Sequence, residues 1–377
     1  MPSKENNVLF LNLYAFSLTG GVEKVSKHFI YALSQLFQQQ NWRSYSMHDR
    51  IVDLDTNYSP KANYKAFNGQ KIKFILASVW ASLKSNVLIL SHANLLLVAK
   101  LVSFVKPNHR FILIAHGIEV WDHLSNWKAN FIKNNAEVWA VSSYTKQRLI
   151  AQYGFNEKNI QVLNNSLSPF AVFPTDFSKP GYLLERYNIN TSQPVLYTLS
   201  RLSSSEKYKG YDVVISALAK LKKLNQAFTY ILAGKADAVE QARIEQLIAA
   251  HDLENEVKLI GYLPEEEITA HFLLADVFIM PSTGEGFGIV FIEAAACGSK
   301  VIGGNADGST DALLNGKLGQ MVNPTSEEEV MQAIKMAIAN ANHQPKTQQE
   351  LTLQHFGFEQ YVEKIRELIG GFEDLEI

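Results

Sequence analysis

The runs "NVLILSH" (residues 86–92), "RFILIAHG" (110–117) and "EVWAVS" (137–142) decide the fold. Each is short, almost wholly apolar, and ends in a polar residue or glycine. A strand that is apolar at every position is buried on both faces, as in a parallel sheet covered by helices. The rhythm begins at "NVLFLNLY" (7–14), and the helix-period segment "GVEKVSKHFIYALSQL" (21–36) follows it. This alternation predicts βαβ units and an α/β, doubly wound, Rossmann-like architecture.

After "NIQVLNNS" (159–166) the rhythm lapses into the Pro-punctuated "PFAVFPTDFSKPGYLLERYNINTSQP" (169–194), where we place the linker. It restarts with "VLYTLSRL" (195–202), a helix at "YDVVISALAKLKK" (211–223), "TYILAG" (229–234), a helix at "EQARIEQLIAAH" (240–251), "VKLIGYL" (257–263), "ADVFIMPS" (275–282) and "KVIGG" (300–304). A chain of 377 residues is more than one core usually serves. We therefore expect Rossmann-like domains at 1–175 and 176–355. The amphipathic "FGFEQYVEKIRELIG" (356–370) opens a C-terminal segment, 356–377, expected to pack back on the first.

Composition, 47% hydrophobic and 19% charged, is that of a soluble globular protein. The single cysteine, Cys297, has no partner for an internal disulfide, which suits a reducing compartment. "VLFLNLYAF" (8–16) lacks a small-residue cleavage site and is read as a buried first strand rather than a signal peptide. No apolar stretch reaches the roughly 18 residues of a spanning helix: "FILASVWASL" ends at Lys84 and "LLLVAKLVSFV" is broken by Lys100. The expected location is cytoplasmic.

Charge is uneven. Residues 1–180 hold 19 Lys and Arg against 10 Asp and Glu, the rest 16 against 27, so the halves carry +9 and −11. A basic first half could meet the anionic inner face of a membrane or a polyanionic substrate. Solvated charge without a partner remains the alternative, because no dense Lys/Arg cluster occurs along the sequence. Nothing points to nucleic acid.

Ligands of doubly wound sheets bind beyond the carboxyl ends of the strands, and four loops there carry candidate chemistry. "LTGGVEK" puts Gly20 and Gly21 where backbone N–H groups could approach a phosphate, although a Gly-Gly pair is more often simply a turn. "RFILIAHGIEVW" ends a strand on His116, whose imidazole can donate and accept and so could bridge a sugar hydroxyl and a phosphate; a lone histidine is otherwise usually structural. "VLYTLSRLSSSEKYKGYD" places Arg201, Lys207 and Lys209 beyond a strand, natural partners of a diphosphate, or a solvated basic loop in the case of Lys207. "GEGFGIVFIEAAACG" (284–298) opens a helix with N–H groups of Phe287, Gly288, Ile289 and Val290 aimed at a phosphate, with Glu285 and Glu293 as acceptors for sugar and ribose hydroxyls. No Asp-x-Asp pair in a strand-following loop suggests a metal clamp, "DLD" (53–55) being read as loop.

The Glu285-x₇-Glu293 spacing, with "GGVEK", "AHGIEVW", "AVSSYTKQRL", "QVLNNS", "SRLSSSEKYKGYD" and "GYLPEEEI" in order over nearly the whole chain, resembles family 4 of the retaining glycosyltransferases. The resemblance implies a GT-B fold, with two Rossmann-like domains facing across a cleft and a C-terminal helix crossing back to the first. It implies that His116 contacts donor sugar and phosphate, that Arg201 and Lys209 bind the diphosphate, that Glu285 holds sugar hydroxyls and Glu293 the ribose. Gly20, Gly21, Lys207, Gly234, Gly261, Tyr262, Leu263, Gly286, Phe287, Gly288, Ile289 and Val290 complete the expected donor set. The chain departs from the pattern in its long Arg-to-Lys-Gly spacing, which leaves Lys207 and Lys209 in competition, and in Asn and Ser of "QVLNNS", where Pro and Gly are common. The implied activity is metal- and cofactor-independent transfer of a hexose from a nucleotide-diphosphate donor, UDP-glucose or another UDP-hexose, to a glycan or lipid-linked saccharide in polysaccharide biosynthesis. GDP-mannose is the alternative donor. An epimerase or phosphorylase on the same fold, or a non-catalytic sugar-nucleotide-binding protein, would share the same devices.

Overall fold

The computed structural model describes residues 7–122 and 124–370. They form two compact units, one running to Pro169 and resuming at Phe356, the other Phe170–His355. The last seven residues of the expected C-terminal segment lie outside the described residues.

In the first unit the elements are β1 (Val8–Asn12), α1 (Gly21–Leu36), β2 (Trp42–Ser46), β3 (Tyr64–Ala66), α2 (Lys71–Ser82), β4 (Val87–Leu90), α3 (Leu96–Val105), β5 (Arg110–Ala115), α4 (Ile118–Trp121), α5 (Asn126–Asn135), β6 (Ala136–Ala140), α6 (Ser143–Tyr153) and β7 (Ile160–Val162). The strands make a seven-stranded parallel sheet in the order β3-β2-β1-β4-β5-β6-β7, with Val8 facing Trp42 on one side and Val87 on the other. β1 and β4 are buried throughout because helices cover both faces. β2 was not legible as a strand: in "WRSYS" only alternate residues are fully buried. Local chemistry sets helix ends, as where Ser142 accepts the Thr145 N–H at 3.1 Å to open α6 and left-handed Gly154 closes it.

The second unit contains α7 (Gly181–Tyr187), β8 (Val195–Leu199), α8 (Tyr211–Lys223), β9 (Thr229–Ala233), α9 (Ala238–Ala250), β10 (Val257–Gly261), α10 (Glu265–Leu274), β11 (Val277–Met280), α11 (Ile289–Ala296), β12 (Lys300–Gly304), α12 (Ser309–Ala312), β13 (Gln320–Val322), α13 (Glu327–Ala339) and α14 (Pro345–Phe356). Its parallel sheet runs β10-β9-β8-β11-β12-β13. The stretch expected to be irregular contains α7, because Leu183 is buried and Tyr187 docks on α10 through a 2.8 Å hydrogen bond between its hydroxyl and His271 Nε2.

The final helix, α15 (Phe358–Gly370), belongs to the first unit. It packs on α1, burying Tyr361, Val362, Ile365 and Ile369. Arg110, at the start of β5, holds its end: the guanidinium pairs with Glu137 at 2.7 Å and donates to the carbonyls of Leu368 and Ile369, each at 2.7 Å. No helix among the described residues is long and apolar enough to cross a membrane.

Candidate functional site

Strand order in the second sheet reverses direction between β8 and β11, which leaves a crevice beyond their carboxyl ends. The β8 loop, residues 200–210, and the β11 loop, residues 281–288, meet there. The Thr283 N–H donates to the Tyr208 carbonyl at 2.9 Å. A Cβ on Gly210, whose φ is +80°, would lie 2.1 Å from the Pro281 carbonyl oxygen, so only glycine allows this approach.

Across this junction Lys209 Nζ donates to Glu285 Oε1, the two side chains being only 14% exposed. Burial disfavours the ammonium, but the Glu285 carboxylate, with Tyr208 and Glu206, outweighs it and raises the Lys209 pKa above its usual value. Arg201, exposed at the exit of β8, pairs with Glu206 at 2.6 Å. The Tyr208 phenol lies in the field of all four charged groups. Glu206 Oε2 and Ser200 Oγ are buried without a hydrogen-bond partner in the same loop. The cluster therefore holds two cations, each matched to an acid, with unused acceptors beside them. Lys207 is exposed and acts on Glu240 instead, so Lys209 is the lysine brought to Glu285.

The helix after Glu285 starts later than its sequence suggests. Phe287 is buried and precedes it, Gly288 adopts φ +85° as its N-cap, and α11 opens at Ile289. Of the four expected donors, Phe287 and Gly288 therefore precede the helix that they were expected to start, and only the amides of Ile289 and Val290 belong to its first turn, where they have no intrahelical acceptor. The reason is backbone geometry: a left-handed residue terminates the helical hydrogen-bond ladder. Glu293 stands half-buried one turn into α11, where its charge acts on Tyr197 and Cys297. Burial, with Glu293, pushes the Cys297 thiol up to about 12.

Asp307 organises this loop and escaped sequence reasoning. Fully buried after β12, it accepts the Glu285 N–H at 2.7 Å and the Ser309 N–H at 3.0 Å, while Ser309 Oγ donates to it as well. Burial pushes its carboxyl up to about 6, against the pull of those hydrogen bonds. The Asp-x-Ser of "ADGST" is the signal that marked it, a side chain folding back on its own turn. At the neighbouring strand ends Gly234 has φ +145°, and a Cβ there would lie 1.7 Å from the Ser200 carbonyl oxygen; its N–H donates to the Gly261 carbonyl at 2.8 Å. Beyond Gly261, Tyr262 is exposed and Leu263 buried.

The first sheet reverses between β1 and β4, and His116, Gly20 and Gly21 lie beyond strand ends of that unit. Gly20 is the extended N-cap of α1 and Gly21 its first residue. The preceding loop is held by Asp49, a second organiser that sequence reasoning missed and one that no local motif marks: its carboxylate accepts the N–H groups of Ala15 (2.8 Å), Phe16 (3.0 Å) and Ser17 (3.2 Å) and the Tyr64 hydroxyl at 2.6 Å. Burial opposes its ionisation, yet those donors keep its pKa below the usual value.

His116 Nε2 lies 2.9 Å from the Ser91 carbonyl. A carbonyl only accepts, so Nε2 carries the proton and Nδ1 is left as an acceptor. The expected two-way imidazole is therefore corrected to a one-way one. Burial, with His92 alongside, lowers its pKa to about 4 and keeps it neutral. Glu119 accepts the His116 N–H at 2.5 Å and fixes the turn; burial raises its carboxyl to about 7. Among the described residues no group of three or more His, Cys, Asp or Glu side chains could hold a metal ion.

Residues 183–352 match the family of glycosyl transferases group 1. The chain is 29% identical over 242 residues to the GDP-mannose-dependent alpha-(1-6)-phosphatidylinositol monomannoside mannosyltransferase of Mycolicibacterium smegmatis, an alignment covering 61% of each protein. It is 27% identical over 242 residues to the amylovoran biosynthesis glycosyltransferase AmsK of Erwinia amylovora, covering 60% of this chain and 54% of that one. The chain thus spans between half and two thirds of the length of these relatives. In fold it is similar to Anabaena Alr3699/HepE, solved in complex with UDP and glucose, with a TM-score of 0.76 and 22% identity over 97% of this chain and 99% of that one.

Proposed function

We propose, from the premise that this is a GT-B protein of the family 4 type whose residues 183–352 form a group 1 glycosyl transferase domain, that it transfers a hexose from a nucleoside-diphosphate sugar to a hydroxyl of a glycan or lipid-linked saccharide. The observation that carries this is the Lys209–Glu285 pair at the β8/β11 reversal, with Arg201 and the first amides of α11 beside it.

In this reading the acids hold the cations' places until donor arrives. Diphosphate takes Lys209 from Glu285 and Arg201 from Glu206, and Glu285 turns to the sugar hydroxyls. Negative charge growing on the leaving diphosphate is stabilised by both cations and by the amides of Ile289 and Val290. Glu293 holds the ribose. Neutral His116 accepts a sugar hydroxyl at Nδ1 and leaves phosphate to the cations. Transfer proceeds with retention, the leaving phosphate oxygen taking the acceptor's proton, and without a metal, because fixed cations neutralise the diphosphate. The protein works at the cytoplasmic side in polysaccharide biosynthesis, with the acceptor on the first unit.

A UDP-hexose, UDP-glucose first, is the donor that family 4 resemblance favours. The mannosyltransferase relative supports a second reading, GDP-mannose. A thermal-shift panel of UDP, GDP and ADP with their sugars decides, since the true donor raises the melting point by mass action. Acceptor-dependent nucleotide release, unchanged within about twofold by chelator, is then expected. Glu293→Ala should weaken nucleotide affinity at a cost of about 1–3 kcal/mol, while Glu285→Ala chiefly lowers turnover. Nucleotide binding without turnover on any glycan acceptor would favour a non-catalytic binding protein.

A further inference from the structure

Between Asp55 and Glu119 the sequence holds no acidic residue but eight lysines and arginines. This interval supplies α2 and α3, which pack side by side. Their inner faces enter the core through Phe74 of α2 and Leu96, Ala99 and Val102 of α3. Their outer faces are apolar as well. On α2, Ile72, Leu76 and Trp80 recur at four-residue spacing and are 75%, 66% and 66% exposed; on α3, Leu97, Leu101 and Phe104 form the matching stripe, Phe104 being 74% exposed. A surface helix normally turns charge to water on the face opposite its core. Here both helices present large apolar side chains there, and such contiguous patches mark interaction surfaces.

The cations border the stripes. Lys71 and Lys73 stand exposed in the first turn of α2, the Lys84 ammonium lies 5.5 Å from the centre of the Trp80 ring, and the Lys100 ammonium 5.1 Å from that of Trp127. Aromatic and aliphatic groups edged by lysines suit the boundary of an anionic bilayer: indole and phenyl groups sink to headgroup depth while ammonium groups stay among the phosphates.

We propose that the outer faces of α2 and α3 are the docking surface by which this protein binds an anionic lipid bilayer. Charge complementarity selects that occupant. A second copy would bring the same lysine-edged face against itself across a two-fold interface, and like charges across an interface repel. The inference stands apart from the donor chemistry, since it uses none of those residues. Part of the positive charge of the first half lies on these helices, Lys71 and Lys73 on α2 and Lys100 on α3, with Lys84 and Lys106 just beyond their ends.

The test uses the full chain with vesicles of phosphatidylcholine alone and of phosphatidylcholine and phosphatidylglycerol in equal parts. Cosedimentation with the mixed vesicles at low salt, a blue shift of tryptophan emission, and loss of binding as salt shortens the Debye length below about 10 Å are expected. The double variant Trp80→Ser/Phe104→Ser should bind about tenfold more weakly or worse, with its melting point and activity on a soluble acceptor unchanged, because both side chains are exposed. Lys73→Glu/Lys84→Glu should lose the preference for the anionic lipid. The proposal is overturned by absence of binding to mixed vesicles at low salt, or by equal binding of the Trp80/Phe104 variant. A dimer in sedimentation velocity that the same variant dissolves would give the face to a second copy and equally overturn it.

Discussion

At the scale of single residues, the pairing of Lys209 with Glu285 is the most informative contact in the second unit. Both groups are largely removed from water, so deleting one leaves the other buried and unpaired, which costs more than the pair itself contributes. Lys209→Met should destabilise the protein by about 2 kcal/mol in urea denaturation. Adding Glu285→Gln should recover most of that loss without recovering activity; strictly additive losses would show that the two do not interact. Glu119 offers a test by pH. Its folded pKa of about 7 lies above the ordinary 4.5, so between those values the folded protein holds a proton that the unfolded chain releases. Stability is therefore greatest below pH 4.5 and falls as pH rises toward 7, by up to about 3 kcal/mol from this group. Glu119→Gln should flatten that slope in melts taken across the window, and an unchanged slope would assign it to other groups.

At the scale of elements, strand exits rather than strands carry the chemistry, and close backbone approaches hold those exits together. Gly234 and Gly261 separate two effects of glycine. Both have positive φ, but a Cβ at Gly234 would strike the Ser200 carbonyl, whereas nothing lies within 4 Å of one at Gly261. Gly261→Ala should cost only the left-handed backbone penalty, about 1 kcal/mol, while Gly234→Ala must push β8 and β9 exits apart and should cost about 3 kcal/mol or more. Equal losses in chemical denaturation would contradict the steric account. The glycines themselves were legible in the sequence, as was α8, whose span Tyr211–Lys223 follows from its periodicity alone. The start of α11 was not, because the left-handed turn at Gly288 leaves no mark in the hydrophobic pattern.

At the scale of the whole molecule, the end of the chain completes the unit that its beginning starts. α15 covers α1, and Arg110 secures it by donating to two terminal carbonyls while paired with Glu137. Arg110→Ala should cost about 2 kcal/mol and loosen this helix. In hydrogen exchange, amides of α15 and α1 should exchange faster, with those of the second unit unaffected; protection lost evenly over both units would mean that they unfold as one.

The sequence by itself determined the alternation of buried strands and helices, the parallel double winding, and the positions where glycines, cations and acids leave the strands. These are local properties, set by side-chain period and by the backbone freedom of particular residues. Only the tertiary structure decided which acid meets which cation. Glu206 and Lys207 are close in sequence to Arg201 and Lys209, yet Arg201 takes Glu206 and Lys209 reaches 76 positions along the chain to Glu285. Asp49 and Asp307 became loop organisers only once the chain had brought distant N–H groups to them. The faces of α2 and α3 show the limit most directly. Leu, Ile, Phe and Trp read the same along a sequence whether they enter a core or face outward, and only packing shows which of the two faces each helix leaves uncovered.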